Sequence, residues 1–410
     1  MSQKFCNSDS LTIWFSEFSD CPNNIDLFWY DKDMLIGIDA SRAFVAERTG
    51  TENYSYELIT HMLRLITSKK HTFVLFIRPN AKLPIELDGY SNVIVKLINF
   101  PILWTQVGLA LATWGSKLDV LWIPAHTLPA LRKRQLKTVV TIHGLEYKYL
   151  REYNNLLQRW YLPLSTFYAA REASLLICVS ESTKRDLIAE TGVDTEKISV
   201  IYEGASIGGI AVGPLIRKAV MEKYGIGEKK YILFVGTVQP RKNIGELITA
   251  FAKVRQTYPD YKLVIAGGVG WDAESDLALS QTLGIPDSVI FTGRVSSEVL
   301  QELYLGASIY VQPSWTEGFG LPVLEAMANR VPVIVSSGGA LPEVVGEAGV
   351  VVPLGGSNAS FARQLAQAVT QLIADPKRQN EFIKAGTSRV HQFGWKSAAT
   401  KTLKFITTGQ

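Results

Sequence analysis

The sequence has few of the residues that mark disulfide-rich, metal-binding or membrane-spanning proteins. It contains three cysteines and five histidines in 410 residues, and no two cysteines form a Cys-x-x-Cys pair. Neither a disulfide framework nor a zinc site is expected, and this cysteine usage is typical of a reducing, cytoplasmic compartment. No apolar run is long enough to span a bilayer, and no signal-peptide pattern opens the chain.

An excess of charge of one sign is also missing. The 42 basic and 38 acidic residues give a net charge of +4, a balance that does not favour nucleic-acid binding. Hydrophobic residues make up 47% of the chain, which is enough for a buried core. The length exceeds that of one typical domain, so two domains are expected.

Residues 1–33 differ from the rest of the chain. They carry two lysines against six acidic residues, a net charge of −4, and show no clean period. The first apolar strand begins at Met34, which is itself a possible start codon. We therefore interpret residues 1–33 as an irregular extension or a mis-assigned start, and a chain beginning at Met34 is expected to fold and keep its activity.

After Met34, apolar runs typical of buried strands alternate with helical patterns, which predicts an α/β fold with doubly wound parallel sheets. A glycine-rich stretch without a period predicts a hinge at 206–217 between an N-terminal domain (34–205) and a C-terminal domain (218–385). Residues 386–410 are expected to form a helix that crosses back to the N-terminal domain. The predicted strands are 34–39, 71–77, 118–123, 138–142, 175–179, 198–202, 231–235, 262–266, 289–292, 309–312 and 331–335.

The segment 314–327 has the densest pattern of candidate functional residues. It follows a strand and opens a helix, with Pro322 suited to the first turn. Gly318 and Gly320 let the backbone approach a ligand, and the N–H groups of a helix start favour an anion. Glu325 is expected in the first turn, where a carboxylate can accept hydroxyls, and Glu317 lies before it. The alternative, acidic residues that only complement the helix dipole, leaves the glycines and the proline unexplained.

A second candidate segment, residues 236–243, also joins a strand to a helix. It places Arg241 and Lys242 at the predicted helix start, where cations oppose the helix dipole and cost stability. A bound diphosphate explains this placement better than folding does. The alternative is a pair of solvated surface charges.

Together these segments resemble glycosyltransferase family 4, a GT-B family whose Glu-x7-Glu signature is matched by Glu317 and Glu325. The resemblance runs from about Met34 to the C-terminus and is specific because several weak matches occur in the family's order. The further matching segments are 37–40, 49–50, 141–144, 179–183, 266–271, 291–295 and 338–343.

The resemblance implies a GT-B fold with two Rossmann-like domains facing a cleft, and a retaining glycosyltransferase that uses a nucleotide-sugar donor. Donor binding is expected to rest on the C-terminal domain. The implied catalytic residues are His143, Arg241, Lys242 and Glu317, with the two cations on the diphosphate and Glu317 on the transferred sugar. The implied donor-binding residues are Gly50, Gly236, Val295 at the base, Gly318, Phe319, Gly320, Leu321, and Glu325 at the ribose.

His143 ends a strand, and a lone histidine there is usually a core residue. Its place before Gly144 at the carboxyl end of the strand favours a catalytic role, facing the sugar across the cleft. The chain departs from the family pattern at Glu52, where a glycine is common, and at Thr237, where an arginine is common.

The mechanism expected from charge requires no metal and no other cofactor. Breaking the sugar–phosphate bond builds negative charge on the diphosphate, and fixed cations with helix N–H donors can stabilise it. Residues 236–243 and 267–271 resemble bacterial mannosyltransferases of surface-polysaccharide assembly, which favours GDP-mannose over a UDP-sugar. The expected acceptor is a glycan or a lipid-linked glycan.

Rival functions of three kinds remain open from the sequence. A glycoside phosphorylase or a nucleotide-sugar epimerase could use a similar fold, and a catalytically silent protein could bind the same ligand. A metal-dependent GT-A transferase would explain Asp31 and Asp33 as an Asp-x-Asp motif, but they lie before the first strand of the main fold, which favours a chance acidic pair.

Residues 98–114 are apolar, and Arg132, Lys133, Arg134 and Lys137 follow. Apolar anchors near cations suit the anionic inner face of a plasma membrane, where a lipid-linked acceptor would lie. The alternative is a core helix followed by solvated cations, and the absence of a sharp amphipathic period favours it.

Overall fold

The computed structural model describes residues 33–46, 48–65, 71–84, 89–145, 147, 156–205, 214–227 and 230–410. It shows two α/β domains, each built on a parallel sheet. Residues 1–32 of the predicted extension and residues 206–213 of the predicted hinge lie outside the described residues.

The N-terminal sheet has seven strands in the order β3-β2-β1-β4-β5-β6-β7. Its central strands are buried on both faces, as the continuous apolar runs predicted. The strands β1 to β7 are Leu35–Asp39, Thr72–Ile77, Val93–Leu97, Val120–Ile123, Lys137–Ile142, Leu175–Cys178 and Ile198–Val200. The helices α1 to α4 are Gly50–Leu65, Ala110–Trp114, Leu156–Glu172 and Glu181–Thr191, with a π-helix at Trp104–Leu109.

The C-terminal sheet has six strands in the order β10-β9-β8-β11-β12-β13. In both sheets the strand order reverses beside the first strand, which opens a crevice at the carboxyl ends. The strands β8 to β13 are Tyr231–Val235, Lys262–Ala266, Val289–Gly293, Ile309–Gln312, Val333–Ser336 and Gly349–Val352. The helices α5 to α12 are Pro214–Lys223, Ile244–Thr257, Glu274–Thr282, Ser297–Gly306, Leu321–Ala328, Leu341–Val345, Asn358–Ala374 and Pro376–Val390.

The predicted doubly wound α/β fold is confirmed, and all eleven predicted strands are present with ends shifted by at most two residues. Two strands were missed. β3 is an edge strand that is mostly exposed, so it lacks the apolar run of a buried strand. β13 is short and begins with a glycine.

Helices extend across two of the predicted boundaries. α5 begins at Pro214, inside the predicted hinge, where a proline fits the first turn, and it buries Val220 and Met221. The predicted C-terminal segment 386–410 begins inside α12. Helix α12 continues to Val390 and packs on α9, where a Cβ on Gly386 would lie 3.2 Å from the Met327 side chain.

The last helix, α13 (Trp395–Thr408), packs against α1 of the N-terminal domain. The Trp395 and Tyr54 rings lie edge to face with their centroids 6.2 Å apart. The connection before α13 runs beside the end of the N-terminal domain, where the backbone N–H of Ala205 donates to the Phe393 carbonyl at 3.0 Å. The chain therefore passes between the domains at two adjacent places.

Candidate active site

Loops from the carboxyl ends of both sheets meet around Gly318, which follows β11. Its carbonyl oxygen accepts hydrogen bonds from Ser180 Oγ at 2.7 Å and Thr183 Oγ1 at 3.2 Å, both at the start of α4. A Cβ on Gly318 would lie 1.5 Å from the carbonyl oxygen of His143. Only a glycine fits here, because the backbones of the two domains are in direct contact.

The Glu317 carboxylate is the centre of a buried polar network. Its Oε2 accepts from Arg241 Nη1 at 2.9 Å, and its Oε1 accepts from Lys242 Nζ at 2.5 Å. Oε1 also accepts from Gln312 Nε2 at 2.8 Å and Ser314 Oγ at 2.6 Å. The structure thus brings together three of the four predicted catalytic residues.

The charges in this network fix its protonation. Burial alone would raise the pKa of Glu317, but the charges of Lys242 and Arg241 outweigh it and lower the pKa to about 2. The carboxylate is therefore ionised near neutral pH. Two cations against one carboxylate leave these three groups with a net positive charge, in a position fixed by hydrogen bonds.

Arg241 and Lys242 do not lie at a helix start, so this part of the prediction was wrong. Both residues lie in a separate 3₁₀ turn, Pro240–Lys242, that ends before α6 begins at Ile244. Asn243 separates them from α6 and has a φ of 57°. The Glu317 carboxylate pairs with both cations in this structure and offsets part of their charge.

Helix α9 begins at Leu321, preceded by Gly320 with a φ of 106° and no side-chain cap. Glu325 is consequently the fifth helical residue and lies in the second turn, so its prediction in the first turn was wrong. Its half-buried carboxylate accepts from Tyr304 Oη at 2.8 Å. Burial raises the pKa of Glu325. A half-buried acceptor of this kind can bind ligand hydroxyls.

The side chain of Phe319 is not placed to contact a donor. The ring is buried and packs on Tyr202 and Phe393, with centroids 6.1 and 5.8 Å away. These aromatic rings come from the end of the N-terminal domain and the connection before α13. The side chain of Phe319 therefore fills the domain interface, and only its backbone is available to a donor.

The remaining predicted donor-binding residues are distributed around the cleft. Gly236 follows β8, and its Cβ would lie 3.6 Å from Lys242 Cε. Val295 is half-buried between β10 and α8. Gly50 is exposed at the start of α1, with open space around its Cα. The structure therefore places Gly236 beside Lys242, whereas Gly50 lies in the N-terminal domain.

His143 follows β5 and is held on several sides. Its backbone N–H donates to His126 Nε2 at 2.9 Å, and its ring meets the Tyr54 ring edge to face. Ring atom Nε2 lies 2.9 Å from the Pro124 carbonyl oxygen, and Nδ1 lies 3.3 Å from Glu203 Oε1. Sequence reasoning missed His126 and Glu203, although both follow strands at carboxyl ends, which was the available signal.

The unusual Glu52 has a structural explanation. Its carboxylate accepts from the Thr49 backbone N–H at 3.1 Å and from Arg42 Nη1 at 3.2 Å. Thr49 precedes the first residue of α1, so Glu52 supplies one of the two hydrogen bonds of a capping box. The departure from the family's glycine therefore stabilises the start of α1.

Comparisons with known proteins show the family of this chain. Residues 48–207 match the model described as Glycosyltransferase Family 4, and residues 216–389 match the one described as Glycosyl transferases group 1. The O-antigen chain mannosyltransferase B of Escherichia coli is 30% identical over 274 residues, which cover 67% of this chain and 71% of that protein. The chain belongs to glycosyltransferase family 4.

This family 4 glycosyltransferase has the GT-B fold. The structure of HepE from Anabaena, in complex with UDP and glucose, superposes with a TM-score of 0.67 at 18% identity, over 92% of this chain and all of that one. The GT-A interpretation of Asp31 and Asp33 is therefore wrong at the level of the fold. Asp31 itself lies outside the described residues.

A second curated relative is matched over a smaller part of its length. The GDP-mannose-dependent alpha-(1-6)-phosphatidylinositol monomannoside mannosyltransferase of Mycolicibacterium smegmatis is 30% identical over 216 residues, 50% of this chain and 55% of that protein. Several other curated relatives are likewise matched over about half of their length. No helix in the described part of the chain has both the length and the hydropathy of a membrane span.

Proposed function

We propose that this glycosyltransferase transfers a hexose, with mannose favoured, from a nucleotide-diphosphate sugar to a glycan or lipid-linked acceptor with retention of anomeric configuration. The observation that carries the proposal is the Glu317 network. It fixes Arg241 and Lys242 at the carboxyl ends of the C-terminal sheet, where ligands bind in such folds. The uncapped start of α9 lies next to it in the chain.

The chemistry follows from where charge develops. Departure of the nucleotide diphosphate leaves negative charge on its phosphate oxygens. Two fixed cations and the N–H groups at Gly320 and Leu321 are suited to stabilise that charge without reorganisation. Glu317 has both oxygens engaged by protein donors. With Gln312 and Ser314 also donating to it, its part is to hold the cations, not to act as a nucleophile.

Metal independence is part of the proposal, because Arg241 and Lys242 supply the positive charge that a metal supplies in other transferases. The test is turnover in excess chelator. Rates within about twofold of the untreated enzyme support the assignment, whereas loss of activity that Mg²⁺ or Mn²⁺ restores would contradict it. Replacing Lys242 by Ala tests the same charge from the protein side, with a loss of about a hundredfold expected.

The donor assignment rests on relatives. The Escherichia coli relative is named a mannosyltransferase and the Mycolicibacterium smegmatis relative GDP-mannose-dependent, whereas the HepE structure contains UDP and glucose. GDP-mannose is therefore the first donor to test and UDP-sugars are the second. A donor panel scored by nucleotide-diphosphate release, with a membrane extract as the acceptor source, decides between them.

The same panel separates the rival functions. A phosphorylase would consume phosphate and release a sugar phosphate, and an epimerase would return an isomerised nucleotide sugar. A silent binding protein would bind a nucleotide sugar without releasing a nucleotide diphosphate. NMR of the product gives the anomeric configuration, and inversion would contradict the retaining mechanism.

We also propose that the enzyme works in the cytoplasm at the inner face of the plasma membrane, where the N-terminal domain contacts the membrane surface. The structure splits the apolar segment 98–114 into a buried part and an exposed part. Trp104 and Leu109 are buried, whereas Ile102, Leu103 and Trp114 are 73%, 62% and 63% exposed. Leu103 also has a φ of 55°, a conformation that is strained for leucine.

The basic cluster is smaller than the sequence indicated. Arg132 is buried and donates to the carbonyl oxygens of Pro129 and Glu172, so it supports the fold and cannot meet a lipid surface. Arg134 and Lys137 are exposed, and Lys133 is half-buried.

Liposome co-sedimentation tests this contact. Binding is expected with anionic but not zwitterionic vesicles, and it is expected to fall with salt. A triple variant with Gln at positions 133, 134 and 137 is expected to lose binding, as is Trp114→Ser. Lys377→Gln and Lys384→Gln, which change exposed cations on α12 of the C-terminal domain, are the matched controls. An enzyme that stays in solution with anionic vesicles at low salt would refute the membrane proposal.

A further inference from the structure

Both ring nitrogens of His143 face oxygen atoms that accept hydrogen bonds, the Glu203 carboxyl group in its ionised form. Nε2 lies 2.9 Å from the Pro124 carbonyl oxygen, and Nδ1 lies 3.3 Å from the Glu203 carboxylate. A neutral imidazole carries one N–H and one lone pair, so one nitrogen would direct its lone pair at an acceptor. With both nitrogens protonated, the ring satisfies both contacts.

Burial makes a cationic partner for the Glu203 carboxylate important. The side chains of His143 and Glu203 are 12% and 6% exposed. An unpaired carboxylate at such a depth is strongly destabilising, so a cation beside Glu203 stabilises it. The imidazolium of His143 is in hydrogen-bonding position to be that cation.

The other titratable groups around the ring do not compete for this role. His126 stacks on His143, and burial lowers its pKa to about 3, so it is neutral. Its Nε2 accepts the His143 backbone N–H and must carry a lone pair. Burial raises the pKa of Tyr54, which keeps the phenol neutral. Arg42 acts on His126 from further away.

We propose that Glu203 is a positioning residue that holds His143 as an imidazolium with both N–H groups directed into the protein. This inference rests on the proposed function only where it gives His143 a part in sugar transfer. A ring without a lone pair cannot take a proton from the acceptor. As the bond between the sugar and the phosphate oxygen breaks and the acceptor oxygen bonds to the sugar, the hydroxyl proton then passes to an oxygen of the departing diphosphate.

The backbone of Glu203 is itself held in place. The next residue, Gly204, has no room for a Cβ, which would lie 2.3 Å from the backbone nitrogen of Trp395. Ala205 then donates to the Phe393 carbonyl at 3.0 Å. Glu203 therefore joins the His143 ring to the place where the C-terminal segment returns across the domain interface.

The decisive experiment is NMR of the ligand-free, full-length protein with ¹⁵N-labelled histidine at neutral pH. The His143 signals are assigned by their loss in His143→Asn. Both ring nitrogens are expected at the shifts of protonated nitrogens in the wild type. One unprotonated, pyridine-like nitrogen in the wild type would overturn the proposal, whatever any variant does.

Variants of the carboxylate give the second readout. In Glu203→Gln the ring is expected to become neutral, with its proton on Nε2 facing Pro124 and Nδ1 accepting from the new amide. Glu203→Asp is expected to restore the imidazolium. Glu196→Gln, an exposed carboxylate of the same domain, is the matched control and should leave the signals unchanged. An imidazolium that persists in Glu203→Gln would overturn the role of Glu203.

Kinetics then test the part in transfer. Glu203→Gln is expected to lower kcat by at least about tenfold while KM for the donor changes by less than about threefold, because the lost ring charge would stabilise negative charge that develops on the diphosphate only in the transition state. Unchanged kcat with a neutral ring would overturn the mechanistic role. An imidazolium in a protein that transfers no sugar would contradict the proposed function and leave the ion pair standing, so the two failures are distinguishable.

Discussion

The contact between Gly318 and His143 gives the sharpest test of how the two domains cooperate. Replacing Gly318 by Ala adds a methyl group 1.5 Å from a backbone carbonyl oxygen. No side chain can rotate away to make room, since the obstacle is backbone. The two loops must therefore separate, whereas the interior of each domain keeps its own contacts.

The size of the effect can be worked from the geometry. Real Cβ atoms essentially never approach within 3.0 Å, so the loops must move apart by about 1.5 Å. That movement breaks the hydrogen bonds from Ser180 and Thr183 to the Gly318 carbonyl. Two such bonds contribute about 1 to 3 kcal/mol to the closed arrangement. A misplacement of about 1 Å lowers the rate of an oriented reaction by about a hundredfold.

Two measurements check this prediction for Gly318→Ala. Turnover is expected to fall by about a hundredfold, with nucleotide-diphosphate affinity close to that of the wild type. Hydrogen exchange reports opening without an activity assay, because the backbone N–H groups of Glu181 and Ser182 donate across the interface to Glu343 and should exchange faster. Gly355→Ala, at an exposed glycine with open space around it, is the control. Wild-type turnover and exchange in Gly318→Ala would refute the reasoning.

Three further predictions concern charges. Glu325→Ala should weaken nucleotide-sugar binding by about tenfold or more in calorimetry, the loss expected for a charged hydrogen-bond acceptor, and unchanged affinity would contradict its ribose role. Glu317→Gln should lower the free energy of unfolding by about 3 kcal/mol at pH 7, because two buried cations lose their partner. The pKa of Glu317 is lowered to about 2, so its stabilisation is present above about pH 4.5 and lost as the pH falls toward 2; denaturant titrations should show the variant and the wild type converging there. Glu343→Gln should speed amide hydrogen exchange at the start of α4 with little change in the global free energy of unfolding. Exchange as slow as in the wild type would contradict the role of Glu343 in holding α4 to the C-terminal domain.

The sequence predicted those elements of the fold that produce a recognisable residue pattern along the chain. Buried parallel strands are continuous apolar runs, so β4 and β8 were readable, whereas the exposed edge strand β3 was not. Arg241, Lys242 and Glu317 were found because each follows a strand of the same sheet. Their direct bonds to one another could not be predicted, since they depend on how loops 75 and 76 residues apart meet in space.

The partners of His143 show more clearly which contacts could not be predicted from the sequence. Glu203 lies 60 residues away, and His126 lies 17 residues away. Each could be recognised as a polar residue after a strand, but no sequence pattern shows that both contact His143. Glu325 was placed one turn too early because Gly320, rather than an earlier residue, precedes the helix. Local patterns located these groups, and long-range packing decided their contacts.

The packing of α13 on α1 has a consequence for how the enzyme is made. All seven strands of the N-terminal sheet have been synthesised by Val200, yet the helix that covers α1 begins only at Trp395. At ordinary translation speeds this gap corresponds to roughly ten to forty seconds. Throughout that time the part of α1 that packs on α13, which includes the Tyr54 ring, lacks its cover on the ribosome and is open to chaperones or to α13 of a neighbouring chain. The domain that emerges first is the last to complete its core.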